Sequence, residues 1–438
     1  MTFSIALDLF PLLAAVLAAL TCGLLGNFLV LRRLSLMGDA ISHSVLPGLV
    51  IAFLVTSSRS PLIMLAGAAI AGVATVVLVE LVKRLGRVEP GAAMGVVFSV
   101  LFALGVLLIE QAAARHVDLD ASCVLYGQLE TLIWYDAPTD FADLLTPATL
   151  DATPRQVTTL AATLAIAVAL VTLLFKELRI AAFDPDLATT QGYGATLLHY
   201  ILMVVVAAAT VASFEAVGSI LVIAMLVGPA ATARLLTDRL APQIFTSAIV
   251  ALATALLGYF AATAVPAAFD KDSVSAAGSM AVAAGLLLAA AIVASPRHGL
   301  IARALRQRAL ARTVALEDLL GTLFRAAETG APALAITDLR VALTPARLQA
   351  ALAPATRAAL ITRDADTLRL TEAGHAAARD LIRRHRLWEH YLVDRVGLSP
   401  DHVHTTAESL EHLALRPADA PATDPPGRPT PRDNAPRS

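Results

Sequence analysis

The sequence predicts an all-α polytopic membrane bundle of about nine spans, followed by a smaller cytoplasmic domain. Hydrophobic residues make up 57% of the 438 residues and charged residues only 16%, whereas a soluble domain has about 25% charged residues. Mean hydropathy is +0.71. The two cysteines are too few for a disulfide framework. The net charge of −2 gives no electrostatic reason to expect nucleic acid as a main partner.

Apolar runs long enough to cross a bilayer recur along the first two thirds of the chain. They lie near Phe10–Leu31, Ala40–Thr56, Pro61–Val82, Ala92–Ile109, Val157–Phe175, Leu197–Phe214, Val217–Ala233, Phe245–Val265 and Val274–Ala294. No basic segment precedes the first run, so we interpret Met1–Leu31 as an uncleaved first span rather than a signal peptide.

Basic residues predict the orientation of these spans, because cytoplasmic loops carry an excess of Lys and Arg. Such residues follow every odd-numbered span: Arg32, Arg33, Lys83, Arg84, Arg87, Lys176, Arg179, Arg234, Arg239, Arg297 and Arg303. We therefore expect the N-terminus outside and everything after Ala294 in the cytoplasm. The long loop Glu110–Arg155 then lies outside, where short surface helices would fit its mixed composition.

The chain after Arg297 is charged and periodic, which is typical of a soluble domain. Its pattern predicts short helices, two β-prone runs around a polar turn and a helix that Thr371 caps. These elements lie at Leu316–Glu328, Thr337–Leu343, Thr344–Leu352, Leu360–Arg363, Thr367–Leu370, Glu372–Val396 and Asp401–Leu415. Helices, then a hairpin, then a helix is the order of a winged-helix domain. We predict domains at 1–296 and 312–415 and a disordered tail at 416–438.

Asp39 and His43 are the first candidate functional residues. They are four positions apart, so on a helix they share a face. Acidic and imidazole side chains inside a membrane are costly and usually functional, and together they could hold a divalent cation on a translocation path. The structural alternative is that Asp39 caps the span and His43 satisfies its charge near the interface.

A second candidate is the loop between the predicted fifth and sixth spans, which begins Phe183-Asp184-Pro185-Asp186. Asp-Pro is a helix-start signal and Gly192 is a stop signal. This pattern predicts a short helix across the cytoplasmic face. It is either a simple connector or a coupling helix that docks on a motor subunit.

Several collinear motifs resemble the manganese/zinc/iron-type ABC transporter permeases. The motifs are Leu31–Gly48, Phe183–Gly192, Ala216–Gly228 and Pro229–Ala233, and the resemblance covers about 12–296. It implies import of Mn, Zn or Fe as substrate, with Asp39 and His43 as pathway ligands. It also implies a homodimer or a second permease subunit, and an extracytoplasmic metal-binding protein.

The chain has no G-x-x-x-x-G-K-[ST] phosphate loop, so it is not expected to be an enzyme, and ATP hydrolysis would belong to a separate ATPase subunit. Within transport, cobalamin or siderophore uptake is the nearest alternative.

A third set of candidates lies on the last two predicted helices. Imidazole and carboxylate side chains recur there at helical spacing: His385, Glu389, His404, Glu408, Glu411 and His412. Two such stripes could supply a metal site suited to Mn, Fe or Zn. The alternative interpretation is a solvated, charged helix face.

The segments Arg384–Leu392, Val403-His404 and Glu408–His412 resemble the iron- and manganese-dependent repressors of the diphtheria-toxin-repressor type, with Leu370–Gly374 fitting their wing-to-helix junction. The resemblance implies two sets of ligands. The primary metal ligands are His385, Glu408, Glu411 and His412, and the ancillary ligands are Glu389 and His404. Glu408 stands where iron-type members carry Cys, which favours the manganese-type branch. Asp318 matches an acidic ligand on the first helix, but Gly321 departs from the second acid of that branch.

The charge of this domain bears on whether it binds DNA. Residues 312–416 carry 13 basic and 13 acidic residues, whereas phosphate recognition favours a basic excess. DNA is therefore not an expected partner. The metal would regulate transport instead, although a membrane-tethered metal-responsive DNA-binding regulator is the alternative from a different functional class.

Overall fold

The protein is described from a computed structural model. It describes residues 4–58, 60–113, 129, 132, 134, 153–271, 273–399, 403, 406, 407, 410 and 412. The chain divides into two compact units, Met1–Ala302 and Arg303–Ser438. The predicted domain boundaries at 296, 312 and 416 remain predictions.

The first unit is a helical bundle, as the sequence predicts. Among the described residues, nine helices are long and apolar enough to cross a membrane. They are α1 (Ile5–Leu31), α2 (Met37–Thr56), α3 (Pro61–Gly86), α4 (Pro90–Ala113), α5 (Arg155–Leu173), α8 (Ala195–Val217), α9 (Ser219–Leu236), α10 (Leu240–Ala267) and α11 (Ala276–Ala294). Two shorter helices, α6 (Phe175–Phe183) and α7 (Pro185–Thr190), lie between α5 and α8. The mixed stretch of the outer loop falls almost wholly outside the described residues.

Small residues on α1 allow it to lie at the centre of the bundle, where it contacts α5, α8, α9 and α10. Its buried face includes Ala14, Ala15, Ala18, Ala19 and Cys22. Without a hydrophobic force between helices in lipid, such small residues favour association by letting the backbones approach.

Close backbone contacts at two glycine sites bring neighbouring spans together. A Cβ at Gly26 would collide with the carbonyl oxygen of Leu226, so α1 and α9 touch backbone to backbone. Gly48 on α2 and Gly67 on α3 face each other in the same way. These contacts fix the positions of α1, α2 and α3.

A buried polar network links α1 to α10. The Asn27 side-chain amide donates to the carbonyl oxygen of Gly23 at 2.7 Å, and its Oδ1 accepts from Gln243 Nε2 at 3.0 Å. The Ser247 hydroxyl donates to the same Gly23 oxygen at 2.9 Å. These bonds satisfy polar groups that would be costly to leave unpaired in an apolar interior.

The second unit combines helices with a small sheet. Its elements are α12 (Leu300–Glu328), β1 (Ala333–Ala335), α13 (Ile336–Ala342), α14 (Pro345–Arg357), β2 (Ile361–Asp364), β3 (Thr367–Leu370) and α15 (Glu372–Asp394). The strands form an antiparallel sheet in the order β1-β3-β2. Its core includes Leu319, Leu339, Leu348 and Leu368.

The predicted hairpin and the capped helix after it are confirmed. The Thr371 hydroxyl accepts a hydrogen bond from the backbone N–H of Gly374 at 3.0 Å. Gly374 is required there, because a Cβ would collide with the carbonyl oxygen of Leu360. This contact seats the first turn of α15 against the link between α14 and β2.

Two features of this unit differ from the prediction. The first helix begins at Leu300 instead of Leu316, because the intervening Ala, Leu, Arg and Gln residues are strong helix formers. The strand β1 is missing from the prediction, since three residues carry too little periodicity to be recognised. Most of the predicted helix at 401–415 and all of the predicted tail lie outside the described residues.

We expect Gly26→Val to lower the stability of the bundle by about 1–3 kcal/mol, because the new side chain would overpack the contact with Leu226. The measurement is the thermal unfolding midpoint of the purified protein in detergent. Gly285→Val is the matched control, since nothing lies within 4 Å of a Cβ at Gly285. Equal midpoints for the two variants would show that the α1–α9 contact does not limit stability.

Candidate functional site: a carboxylate–imidazole pair in the bundle, a short cytoplasmic helix and a C-terminal cluster

The structure brings Asp39 and His43 together on α2. His43 Nε2 lies 3.2 Å from Asp39 Oδ1, and the two side chains are 29% and 33% exposed for His43 and Asp39 respectively. The ring centroids of Phe102 and Phe98 on α4 lie 5.7 and 5.9 Å from that of His43. The pair is therefore partly accessible and borders aromatic side chains.

Capping, one part of the structural alternative for Asp39, is not seen. The N-cap of α2 is Leu36, and no side chain makes a capping hydrogen bond there. The other part is seen, because His43 contacts the carboxylate directly. Asp39 lies in the first turn of α2, where the positive end of the helix dipole favours a negative charge.

The short helix predicted after Phe183 is confirmed as α7. Asp184 is its N-cap, and Asp184 Oδ1 accepts from the Leu187 backbone N–H at 2.9 Å. Pro185 occupies the first helical position, where its missing N–H costs nothing. Gly192 follows with a positive φ of 86°, a conformation that glycine adopts readily.

One face of α7 is anchored and another is exposed. Ala188 packs with Ala181 and Leu198 in a small buried cluster. Leu187 of α7 is 46% exposed, Phe183 at the end of α6 is 59% exposed, and Asp186 is exposed as well. An exposed apolar and acidic surface on an anchored helix is suited to contact with another protein.

The C-terminal candidates lie in two groups. His385 and Glu389 face each other on α15, with Nε2 and Oε1 3.1 Å apart and side chains only 4% and 1% exposed. His412 contacts two acids of α12: its Nδ1 lies 2.5 Å from Glu317 Oε2 and its Nε2 3.4 Å from Asp318 Oδ1. His404, Glu408 and Glu411 lie outside the described residues.

Sequence reasoning missed Glu317. It singled out Asp318 and noted that Gly321 lacks an acid, but the structure places Glu317 against His412 as well. A Cβ at Gly321 would face Leu381 at 3.4 Å, so that position points to the apolar core. The sequence feature that could have identified Glu317 is its position directly before Asp318.

Two arginines also bind the carboxylates that face His412. Arg384 Nη2 donates to Glu317 Oε1 at 3.0 Å, and Arg347 Nη1 donates to Asp318 Oδ2 at 3.3 Å. Burial alone raises the pKa of Glu317, but the hydrogen bonds from His412 and Arg384 outweigh it and hold that pKa below its usual value. Glu317 therefore stays charged.

The described residues hold no group of three or more His, Cys, Asp or Glu arranged to bind a metal ion. The donors themselves are of a suitable type, because carboxylates and imidazoles bind Mn, Fe and Zn. The ligand sets predicted from sequence therefore remain predictions.

The fold and these features define a polytopic membrane protein with a separate, partly helical C-terminal domain. Residues 9–295 match the family model described as the ABC 3 transport family, and the chain belongs to this family. It is a multi-pass permease of the plasma membrane. Residues 371–416 match the model of the iron dependent repressor, metal binding and dimerisation domain, which the chain carries as a fusion.

Known proteins support this assignment. The chain is 41% identical to the manganese transport system membrane protein MntD of Bacillus subtilis, over 66% of this chain and 93% of that protein. It is 38% identical to the zinc transport system membrane protein TroD of Treponema pallidum, over 68% and 77% respectively. The solved structure of PsaBC from Streptococcus pneumoniae in complex with Fab matches with a TM-score of 0.52 and 28% identity, over 66% of this chain and 92% of that one.

Proposed function

We propose that this chain is the permease subunit of an ABC importer that moves a divalent transition-metal ion, Mn, Zn or Fe, into the cell. The observation that carries the proposal is the Asp39–His43 pair, a carboxylate and an imidazole 3.2 Å apart on a membrane-spanning helix. The names of the manganese and zinc relatives support it.

The geometry of the pair suits a transient metal ligand. Oxygen and nitrogen ligands lie about 2.0–2.2 Å from a transition-metal ion, so both atoms can contact one ion with only small movements. Neutral imidazole is the ligand form of histidine, and Asp39 supplies the negative charge that offsets the cation. Phe98 and Phe102 on α4 lie beside the His43 ring and leave it partly accessible.

Energy for the cycle would come from a separate ATPase subunit that docks on α7. The exposed Phe183 and Leu187 support an apolar contact, and Asp184 to Asp186 start the helix that presents it. An extracytoplasmic metal-binding protein would deliver the ion, and a second copy of this chain or another permease subunit would complete the pathway.

We propose further that the C-terminal domain binds the same class of ion and reduces transport when internal metal is high. His385, Glu408, Glu411 and His412 would be the primary ligands and Glu389 and His404 ancillary ones, with Asp318 and Glu317 on α12. The bound ion would offset the charge of these carboxylates. The equal numbers of basic and acidic residues in 312–416 favour this role over DNA binding.

Asp39→Ala should abolish uptake of the transported ion, because the imidazole alone cannot neutralise a divalent cation in an apolar bundle. The measurement is accumulation of radioactive Mn or Zn in proteoliposomes that contain the ATPase. Glu89→Ala removes an exposed acid and should transport normally. Wild-type uptake by Asp39→Ala, with both metals, would exclude this carboxylate from the pathway.

Asp184→Ala should lower transport-coupled ATP hydrolysis several-fold, because it removes the cap of α7, which contributes about 1 kcal/mol. Asp184→Asn keeps a capping oxygen and should retain most of the coupling. The readout is ATPase activity of the reconstituted complex with and without metal. Loss of coupling in both variants would point to the charge of Asp184 instead of its capping bond.

His412→Ala should leave uptake active at internal metal concentrations that inhibit the wild type. Uptake is measured into proteoliposomes preloaded with Mn, together with Mn binding by the purified chain. His390→Ala is the control, since His390 lies on α15 but pairs with Asp394 at 2.7 Å. Unchanged inhibition in His412→Ala would reject the feedback.

A filter-binding assay tests the alternative of a membrane-tethered DNA-binding regulator. Metal-dependent retention of promoter DNA by the full chain would favour that alternative.

A further inference from the structure

A polar cavity lies at the cytoplasmic ends of three spans. It has a volume of about 460 Å³. Its walls come from the residues after α1, the last turns of α3, the first turns of α8 and the side of α7. The residues that carry charge or can do so are Arg32, Arg33, Glu80, Lys83, Arg84, Asp186 and His199.

Four basic side chains and two acidic ones line this cavity. Glu80 is already engaged: Arg84 Nε donates to it at 2.8 Å and Lys83 Nζ at 3.2 Å. Arg32 Nη1 lies 2.9 Å from His199 Nδ1. The wall therefore keeps an unneutralised positive charge around Arg32.

The other donors of Arg32 are buried and unsatisfied. Its Nε and Nη2 have no hydrogen-bond partner among the described residues. Leaving a buried charged donor unpaired is costly, and burial lowers the pKa of Arg32. The guanidinium fork matches phosphate oxygens in two-pronged geometry.

We propose that this cavity binds a phosphate group, with the Arg32 guanidinium as the main donor and Lys83 at its rim. Two sources share this chemistry, namely the headgroup of an anionic phospholipid and free inorganic phosphate. Basic pockets between spans on the cytoplasmic side are suited to anionic headgroups. Because Pro185, Asp186 and Thr189 of α7 line the same cavity, the bound group would brace α7 against the span ends.

The test is the thermal unfolding midpoint of the purified full-length chain in neutral detergent. A ligand that binds only the folded state raises this midpoint. We expect phosphatidylglycerol, inorganic phosphate or both to raise it by about 3 °C. An effect of the lipid alone identifies a headgroup, and an effect of phosphate identifies a free anion. Phosphatidylcholine, whose headgroup is neutral overall, should have a smaller effect.

Arg32→Gln should lose this shift, and Lys83→Gln, at a half-exposed position, should reduce it even if Arg32→Gln folds poorly. Arg239→Gln is the matched control, because it removes the same charge from an exposed position outside the cavity. Equal shifts in the wild type, Arg32→Gln and Lys83→Gln would overturn the proposal. So would no shift with either ligand, or equal non-zero shifts with phosphatidylglycerol and phosphatidylcholine when inorganic phosphate has no effect.

Discussion

In the low-polarity interior of the bundle, a charged side chain without a partner is costly. Asp39 lies against His43, the Tyr259 hydroxyl donates to Asp8 at 2.8 Å, and Arg155 pairs with Glu215. The Tyr259–Asp8 and Arg155–Glu215 contacts also join helices that are far apart in the sequence. A charged pair in this environment therefore acts as a structural bond within or between helices.

The same constraint explains why the bundle relies on small residues. Lipid tails are as apolar as leucine side chains, so spans associate through close packing and hydrogen bonds. Gly26, Gly48 and Gly67 permit direct backbone contacts, and the Asn27–Gln243 bond links α1 to α10. This closely packed centre holds in place the helix α2, which carries Asp39 and His43. The helix α7 packs against the bundle through Ala188.

The C-terminal unit follows different rules, because it is built like a soluble domain. Its apolar core is small, and its carboxylates pair with arginines as well as with histidines. Arg384 and Arg347 bind the acids that face His412. These pairs tie α12 to α15 through Arg384 and to α14 through Arg347.

The sequence by itself determined the architecture and most of the candidate residues. Long apolar runs fix nine spans because length and hydropathy are properties of local sequence. The spacing of Asp39 and His43 and the Asp184-Pro185 start of α7 are equally local, and the hairpin and the Thr371 cap follow from short-range patterns. The structure agrees with each of these predictions to within a few residues.

Only the tertiary structure decided which distant residues meet. Glu317 reaches His412 across 95 positions in the chain, and Arg32, Glu80 and His199 converge from three helices. No periodicity links such residues, since their proximity depends on how α1, α3, α8, α12 and α15 pack. The sequence therefore specified which chemical groups are present on each helix, whereas helix packing decided which of them share a site.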